Sequence, residues 1–136
     1  MTQLKRVGIY AGAALVVFLA GYLWGWVGRR TAERELARAN VHLELSDARR
    51  LALAGSIDIY KLNFGAAAAH FETARATADR ARAALADGGS TADPAELSAA
   101  VTSLDEARAL AAKLDQAAGQ KAASAVAILD KAAAAP

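Results

Sequence analysis

The sequence predicts an all-α protein: one N-terminal transmembrane helix, then an alanine-rich antiparallel helical hairpin or three-helix bundle. Three observations carry that expectation. Of 136 residues, 39 are alanine, the strongest helix former. β-branched and aromatic residues are sparse beyond residue 28, so strands lack their preferred material. A single uncharged apolar run lies near the N-terminus, and only helical periodicity follows it.

Residues 1–6 form a short tail, and residues 7–28 read VGIYAGAALVVFLAGYLWGWVG without a charge. At 1.5 Å per residue that run reaches roughly 33 Å, against a hydrocarbon core of about 30 Å. Lys5 and Arg6 close one end, and Arg29 and Arg30 the other. Tyr10 falls near the first interface and Tyr22, Trp24 and Trp26 near the second, where amphipathic rings prefer to lie. A cleaved signal peptide would have a shorter apolar region and small residues where this chain has YLWGWVGRR. Gly8 with Gly12, and Gly21 with Gly25, are small-xxx-small pairs on different sides of the helix. They suit a span packed against other membrane helices on two faces, although glycine is also common in spanning helices generally. A short basic tail tends to stay inside, which sends the remainder to the extracytoplasmic side of a bacterial inner membrane. A count of Lys and Arg alone favours the cytoplasm.

A juxtamembrane helix is predicted over residues 29–62, with the apolar stripe Ala37, Val41, Leu45, Ala48, Ala52, Gly55, Ile59 and Leu62. Asn63 can cap a second helix over 63–87, whose stripe is Phe64, Ala67, Phe71, Ala74, Ala78, Ala81 and Leu85. Residues 88–93 make a Gly/Ser/Asp loop. Asp93-Pro94-Ala95-Glu96 then opens a third helix, with Asp93 as N-cap, Pro94 at N1 and Glu96 reaching back. This helix covers 94–131, with Gly119 as its weakest point; its stripe is Leu97, Ala100, Leu104, Ala107, Ala111, Leu114 and Ala118. Residues 132–136 fray. A core built mostly of alanine buries little area, so the helical part is expected to lean on a partner, a membrane surface or a second copy.

Several functions are excluded. The formal net charge is +2 with acids and bases interleaved, so no nucleic-acid stripe exists. There is no cysteine, hence no thiol chemistry. His42 and His70 each begin an H-x-E triplet, but residues two apart on a helix diverge, so no metal site is expected. No Walker A loop, Rossmann glycine pattern, G-x-S-x-G or HExxH occurs, so no catalysis, cofactor or small-molecule substrate is expected. Acid-then-Arg pairs three apart (Glu35/Arg38, Asp47/Arg50, Glu72/Arg75, Asp79/Arg82, Asp105/Arg108) read as solvated helix faces.

The stretch GSIDIYKLNFGAAAAHFETA, residues 55–74, resembles a tetratricopeptide repeat, with about one repeat covering residues 48–81. Gly55 stands at the helix-A glycine, Asn63 at the polar turn and Phe64 at the turn aromatic. Ala67 is the small crossing residue, Phe71 the large one a turn on, and Ala74 the final small one. Leu51 replaces the opening Trp, Asp58 a Tyr and Leu62 a turn glycine. The same residues also suit an alanine-packed hairpin of no repeat family. The resemblance implies a protein-binding scaffold without chemistry of its own. The sequence-level expectation is therefore a membrane-anchored adaptor that docks a partner protein through a face around Arg49, Arg50, Ile57 and Tyr60. The alternative is a small single-span accessory subunit of a membrane complex, or a homo-oligomer.

Overall fold

The computed structural model describes the backbone of residues 2–88 and 93–135, with side chains for 15–22, 31–86 and 93–135. Among the described residues the chain is all-α: α1 (Thr2–Tyr60), α2 (Phe64–Gly88), α3 (Pro94–Ala112) and α4 (Ala118–Ala133). It divides into two compact units, Met1–Leu36 and Ala37–Pro136.

The expected transmembrane helix is corrected. No helix among the described residues is long and apolar enough to cross a membrane. α1 is long, at 59 residues, but a span needs about 20 consecutive, mostly apolar residues. The readings that rested on the span fall with it: the anchored fold, integral single-pass membrane association, and placement in a bacterial inner membrane with an extracytoplasmic domain. Tyr22 is exposed, and a Cβ on Gly21 would meet nothing within 4 Å. Lys5, Arg6, Gly8, Tyr10, Gly12, Trp24, Gly25, Trp26, Arg29 and Arg30 lie outside the residues whose side chains are described.

The second unit is a four-helix bundle, not the expected hairpin or three-helix bundle. The third helix does not run on to residue 131. It ends at Ala112, and α4 starts at Ala118. The break falls ahead of Gly119, at Leu114, whose φ of 60° is left-handed. Gly119 instead lies within α4, with Ile59 Cγ2 3.8 Å from where its Cβ would be.

Ion pairs tie each helix to the next and close the ring. Arg80 meets Glu44 at 3.5 Å (α2–α1), Arg108 meets Glu72 at 3.1 Å (α3–α2), Lys121 meets Glu106 at 2.6 Å (α4–α3), and Arg49 meets Asp130 at 2.5 Å (α1–α4). Between consecutive helices the pairs run in opposite order (Glu44/Arg80 and Asp58/His70, Glu72/Arg108 and Arg75/Asp105, Glu96/Lys131 and Glu106/Lys121), so the topology is up-down-up-down.

The stripes read from the sequence face inward, with three exceptions. Val41, Leu45, Ala48, Ala52 and Ile59 of α1 pack against Ala67, Phe71, Ala74, Ala78, Ala81 and Leu85 of α2 in one core. Leu97, Ala100, Leu104, Ala107 and Ala111 of α3 join Ala118, Ala122, Ala125, Leu129 and Ala132 of α4. Phe71, Leu45, Leu97, Leu104 and Leu129 are the largest fully buried side chains, each set among alanines. Small residues let the backbones approach closely, and a few large ones fill the space between them. The exceptions are Ala37, Leu62 and Leu114, expected inside and found exposed.

Candidate docking surface

α1 and α3 both run toward the same end of the bundle, and both stop in the same way. At the first turn Leu62 N–H donates to Ile59 C=O (2.9 Å) and Asn63 N–H to Asp58 C=O (2.8 Å). At the second, Leu114 N–H donates to Ala111 C=O (2.9 Å) and Asp115 N–H to Leu110 C=O (3.0 Å). Both are Schellman closures, in which the left-handed residue is usually glycine. Here it is leucine each time, with φ 59° at Leu62 and 60° at Leu114. The next residue in each turn accepts a backbone N–H with its side chain. Asn63 Oδ1 accepts from Ala66 N–H at 3.4 Å in the first turn of α2, whereas Asp115 Oδ1 accepts from Ala117 N–H at 2.9 Å and closes a turn ahead of α4, whose N-cap Ala117 has no side-chain cap. The two turns therefore repeat one local design, Lys61-Leu62-Asn63 and Lys113-Leu114-Asp115.

Neither leucine is covered: Leu62 is 62% and Leu114 69% exposed. At this end lies a groove of about 530 Å³ lined by Ile59, Tyr60, Gln116, Ala117, Gly119 and Gln120. Tyr60, on its rim, is 87% exposed. Tyr60 also ends an apolar stripe on the outward side of α1, with Ile57 and Leu53 exposed one and two turns back.

The structure separates the face expected around Arg49, Arg50, Ile57 and Tyr60 into two kinds of residue. Ile57 and Tyr60 are free apolar surface. Arg49 is held by Asp130 of α4, and Arg50 reaches Asp47 at 3.4 Å within its own helix. Sequence reasoning missed Leu53, Leu62 and Leu114. The latter two were assigned to the core because the four-three spacing runs on past the point where each helix ends.

The residues quoted for the repeat resemblance lie together in the α1–α2 hairpin. Ala67, Phe71 and Ala74 are fully buried and Phe64 half-buried. A Cβ on Gly55 would come within 2.5 Å of Phe71 Cε1, so only glycine fits there. Beside them His70 has its Nδ1 2.8 Å from Asp58 Oδ2. The Asp58 side chain is only 16% exposed. This pair spans the hairpin near its turn. His42 is exposed.

Two of the acid-then-Arg pairs, read as separate solvated faces, merge into one ring across α2 and α3. Glu72 binds Arg75 at 2.8 Å and Arg108 at 3.1 Å. Asp105 faces Arg108 at 3.2 Å and Arg75 at 3.9 Å. The hydrogen bond from Arg75, helped by the charges of Arg75 and Arg108, holds the Glu72 carboxyl below its usual range, and that same bond raises Arg75. Arg75 Nε is buried without a hydrogen bond, since Asp105 is too distant to supply one. Among the described residues no group of His, Asp and Glu side chains could hold a metal ion.

No protein family, curated protein or solved structure matches this chain.

Proposed function

We propose that this chain is a non-catalytic helical scaffold that docks a partner protein at the turn end of its bundle and along the adjoining outward face of α1. The observation that carries this reading is one continuous apolar surface. Leu53, Ile57 and Tyr60 are 41%, 53% and 87% exposed on one side of α1, and Tyr60 runs into the end groove. Scattered exposed apolar residues need no explanation, but a contiguous patch with polar residues around it marks an interaction surface. A helical stripe continuous with a pocket is the shape that accepts anchor side chains from another protein.

Two further features support the reading. The likeness of the first hairpin to a tetratricopeptide repeat implies partner binding. The charged side chains along the helices are engaged with one another across the bundle, which favours a structural use for them over a reactive one.

The test is chemical cross-linking of the full chain in its native cells, comparing wild type with the Ile57→Ser/Tyr60→Ser double variant. The wild-type chain should cross-link to a protein other than itself. The variant should lose that product tenfold or more, a difference of about 1.4 kcal/mol in docking, while its circular-dichroism melt stays unchanged. A wild-type chain that forms no such product, or a product untouched by the double substitution, counts against the proposal.

A further inference from the structure

We infer that a second copy of this chain, lying antiparallel along α1, covers the docking stripe until the partner displaces it; the inference rests on the docking reading above. This face is unlike the rest of the bundle. Leu43, Leu53, Ile57 and Tyr60 of α1 are exposed, whereas α2, α3 and α4 show no exposed large apolar side chain among the described residues. At 3.6 residues per turn, Ala39, Leu43, Ser46, Arg50, Leu53 and Ile57 share an arc of about 80° on α1, opposite its buried Ala48 and Ala52. Apolar residues scattered singly over a surface need no occupant, but a row along one helix face does.

The order of residues along this face selects the occupant. Counted from Ala48, Leu43 and Leu53 lie five residues to either side, Ala39 and Ile57 nine, and Ser46 and Arg50 two. A two-fold axis at Ala48 therefore sets Leu43 against Leu53 of the second copy, the large Ile57 against the small Ala39, and Arg50 against Ser46. Such self-matching is what an isologous contact requires. Charge agrees with it. Asp47 and Arg50 pair at 3.4 Å within α1, and their side chains are exposed on one edge of the face. About the axis, Arg50 comes within about 1.5 Å, measured along the helix, of Asp47 of the second copy. Each carboxylate then lies between two guanidinium groups, one from each copy. Beside the axis, Arg49 and Glu44 are already engaged, with Asp130 and Arg80. A parallel copy would set Arg50 against Arg50. Slipping the antiparallel copy by one turn would set Arg50 against Arg50 or Leu43 against Arg49. One helix face on another over roughly 28 Å is a small interface of the dissociable class, as a displaceable cover must be.

The test is analytical ultracentrifugation of the full chain over about 1–100 μM, where wild type should pass from monomer to dimer. Asp47→Arg should raise the dimer Kd about tenfold or more, and Asp47→Arg/Arg50→Asp should return it to within about threefold of wild type. The circular-dichroism melts of both variants should stay close to wild type, since neither residue is in the core. The chain has no cysteine, so Leu43→Cys and Leu53→Cys chains can be mixed, and a disulfide should join one kind to the other in preference to itself. A chain that stays monomeric, a dimer indifferent to the charge substitutions, or Leu43→Cys chains linking chiefly to themselves would each overturn the inference. Cross-linking in native cells reads the docking separately. Asp47→Arg frees the stripe and leaves Ile57 and Tyr60 in place, so it should raise the yield of partner product severalfold. A yield unchanged or lowered by Asp47→Arg would overturn the inference and leave docking standing. No partner product from either chain, with the dimer intact, would remove docking alone and make the second copy the sole occupant of the stripe.

Discussion

Gly55 and Phe71 show how one residue can decide the packing of two helices. An interior helix glycine ordinarily costs about 1 kcal/mol against alanine, so Gly55→Ala should stabilise α1 on propensity alone. Its new Cβ, however, would lie 2.5, 2.7 and 3.0 Å from three ring atoms of Phe71. Phe71 is fully buried and has nowhere to retreat. Overpacking of this kind costs about 1–3 kcal/mol, so the variant should be the less stable one in urea denaturation. Adding Phe71→Leu should recover part of the loss, and a double-mutant cycle measures that coupling. A Gly55→Ala protein more stable than wild type would show that the ring is free to move. This contact was partly legible: Gly55 and Phe71 were each placed on an inner stripe, but the crossing was assigned to Ala67 and not to this pair. The left-handed leucines were not legible. Hydrophobic spacing reports which face a side chain takes while a helix continues, and it carries no signal of the residue where the helix stops. Leu62 and Leu114 each sit one step beyond that point.

At the scale of the element, the start of α3 separates what local chemistry fixes from what tertiary contacts take over. Asp93 caps the helix as its sequence predicts: its carboxylate accepts from Ala95 N–H at 2.8 Å, and Pro94 occupies the first turn. Glu96 was expected to reach back to the cap. It instead pairs with Lys131 of α4, which lies beside it in the folded bundle. Replacing Asp93 with Ala should therefore lower stability by about 1 kcal/mol, the usual worth of a helix cap. Glu96→Gln should cost under about 0.5 kcal/mol, because its pair is solvent-exposed. Parallel urea melts of the two variants check the order; a larger loss at Glu96 would mean that the α3–α4 pair matters more than the cap. The division of α3 from α4 has the same lesson. Gly119 looked like the breaker because glycine is weak in helices. The actual stop is made by hydrogen bonds around Leu114 and by the Asp115 turn, which composition does not display. The N-terminal stretch erred in the opposite direction. Its apolar composition was plain, yet no helix among the described residues meets the length and hydropathy of a span.

At the scale of the molecule, the charge pattern was visible but its assembly was not. Glu72/Arg75 and Asp105/Arg108 are local pairs on any helical reading, and joining them requires the register of α2 against α3, which periodicity leaves free. Once joined, they make the bundle sensitive to acid. The folded state holds the Glu72 carboxyl below its ordinary value near 4.5, chiefly through the Arg75 hydrogen bond. The unfolded chain takes up that proton first. The stabilisation is thus present above roughly pH 4.5 and is lost as pH falls through the lower value of the folded state. Thermal melts of wild type and Glu72→Gln across pH 7 to 3 isolate this contribution. The variant should melt lower at pH 7, and the gap should close as the pH falls below 4.5, because a protonated Glu72 offers Arg75 and Arg108 no more charge than glutamine does. In 1 M salt the gap at pH 7 should also narrow, since the ring is partly exposed and screening shortens its reach to about 3 Å. A gap of constant size from pH 7 to 3 would mean that Glu72 acts through its shape, and that the α2–α3 seam is held by its alanines and leucines alone.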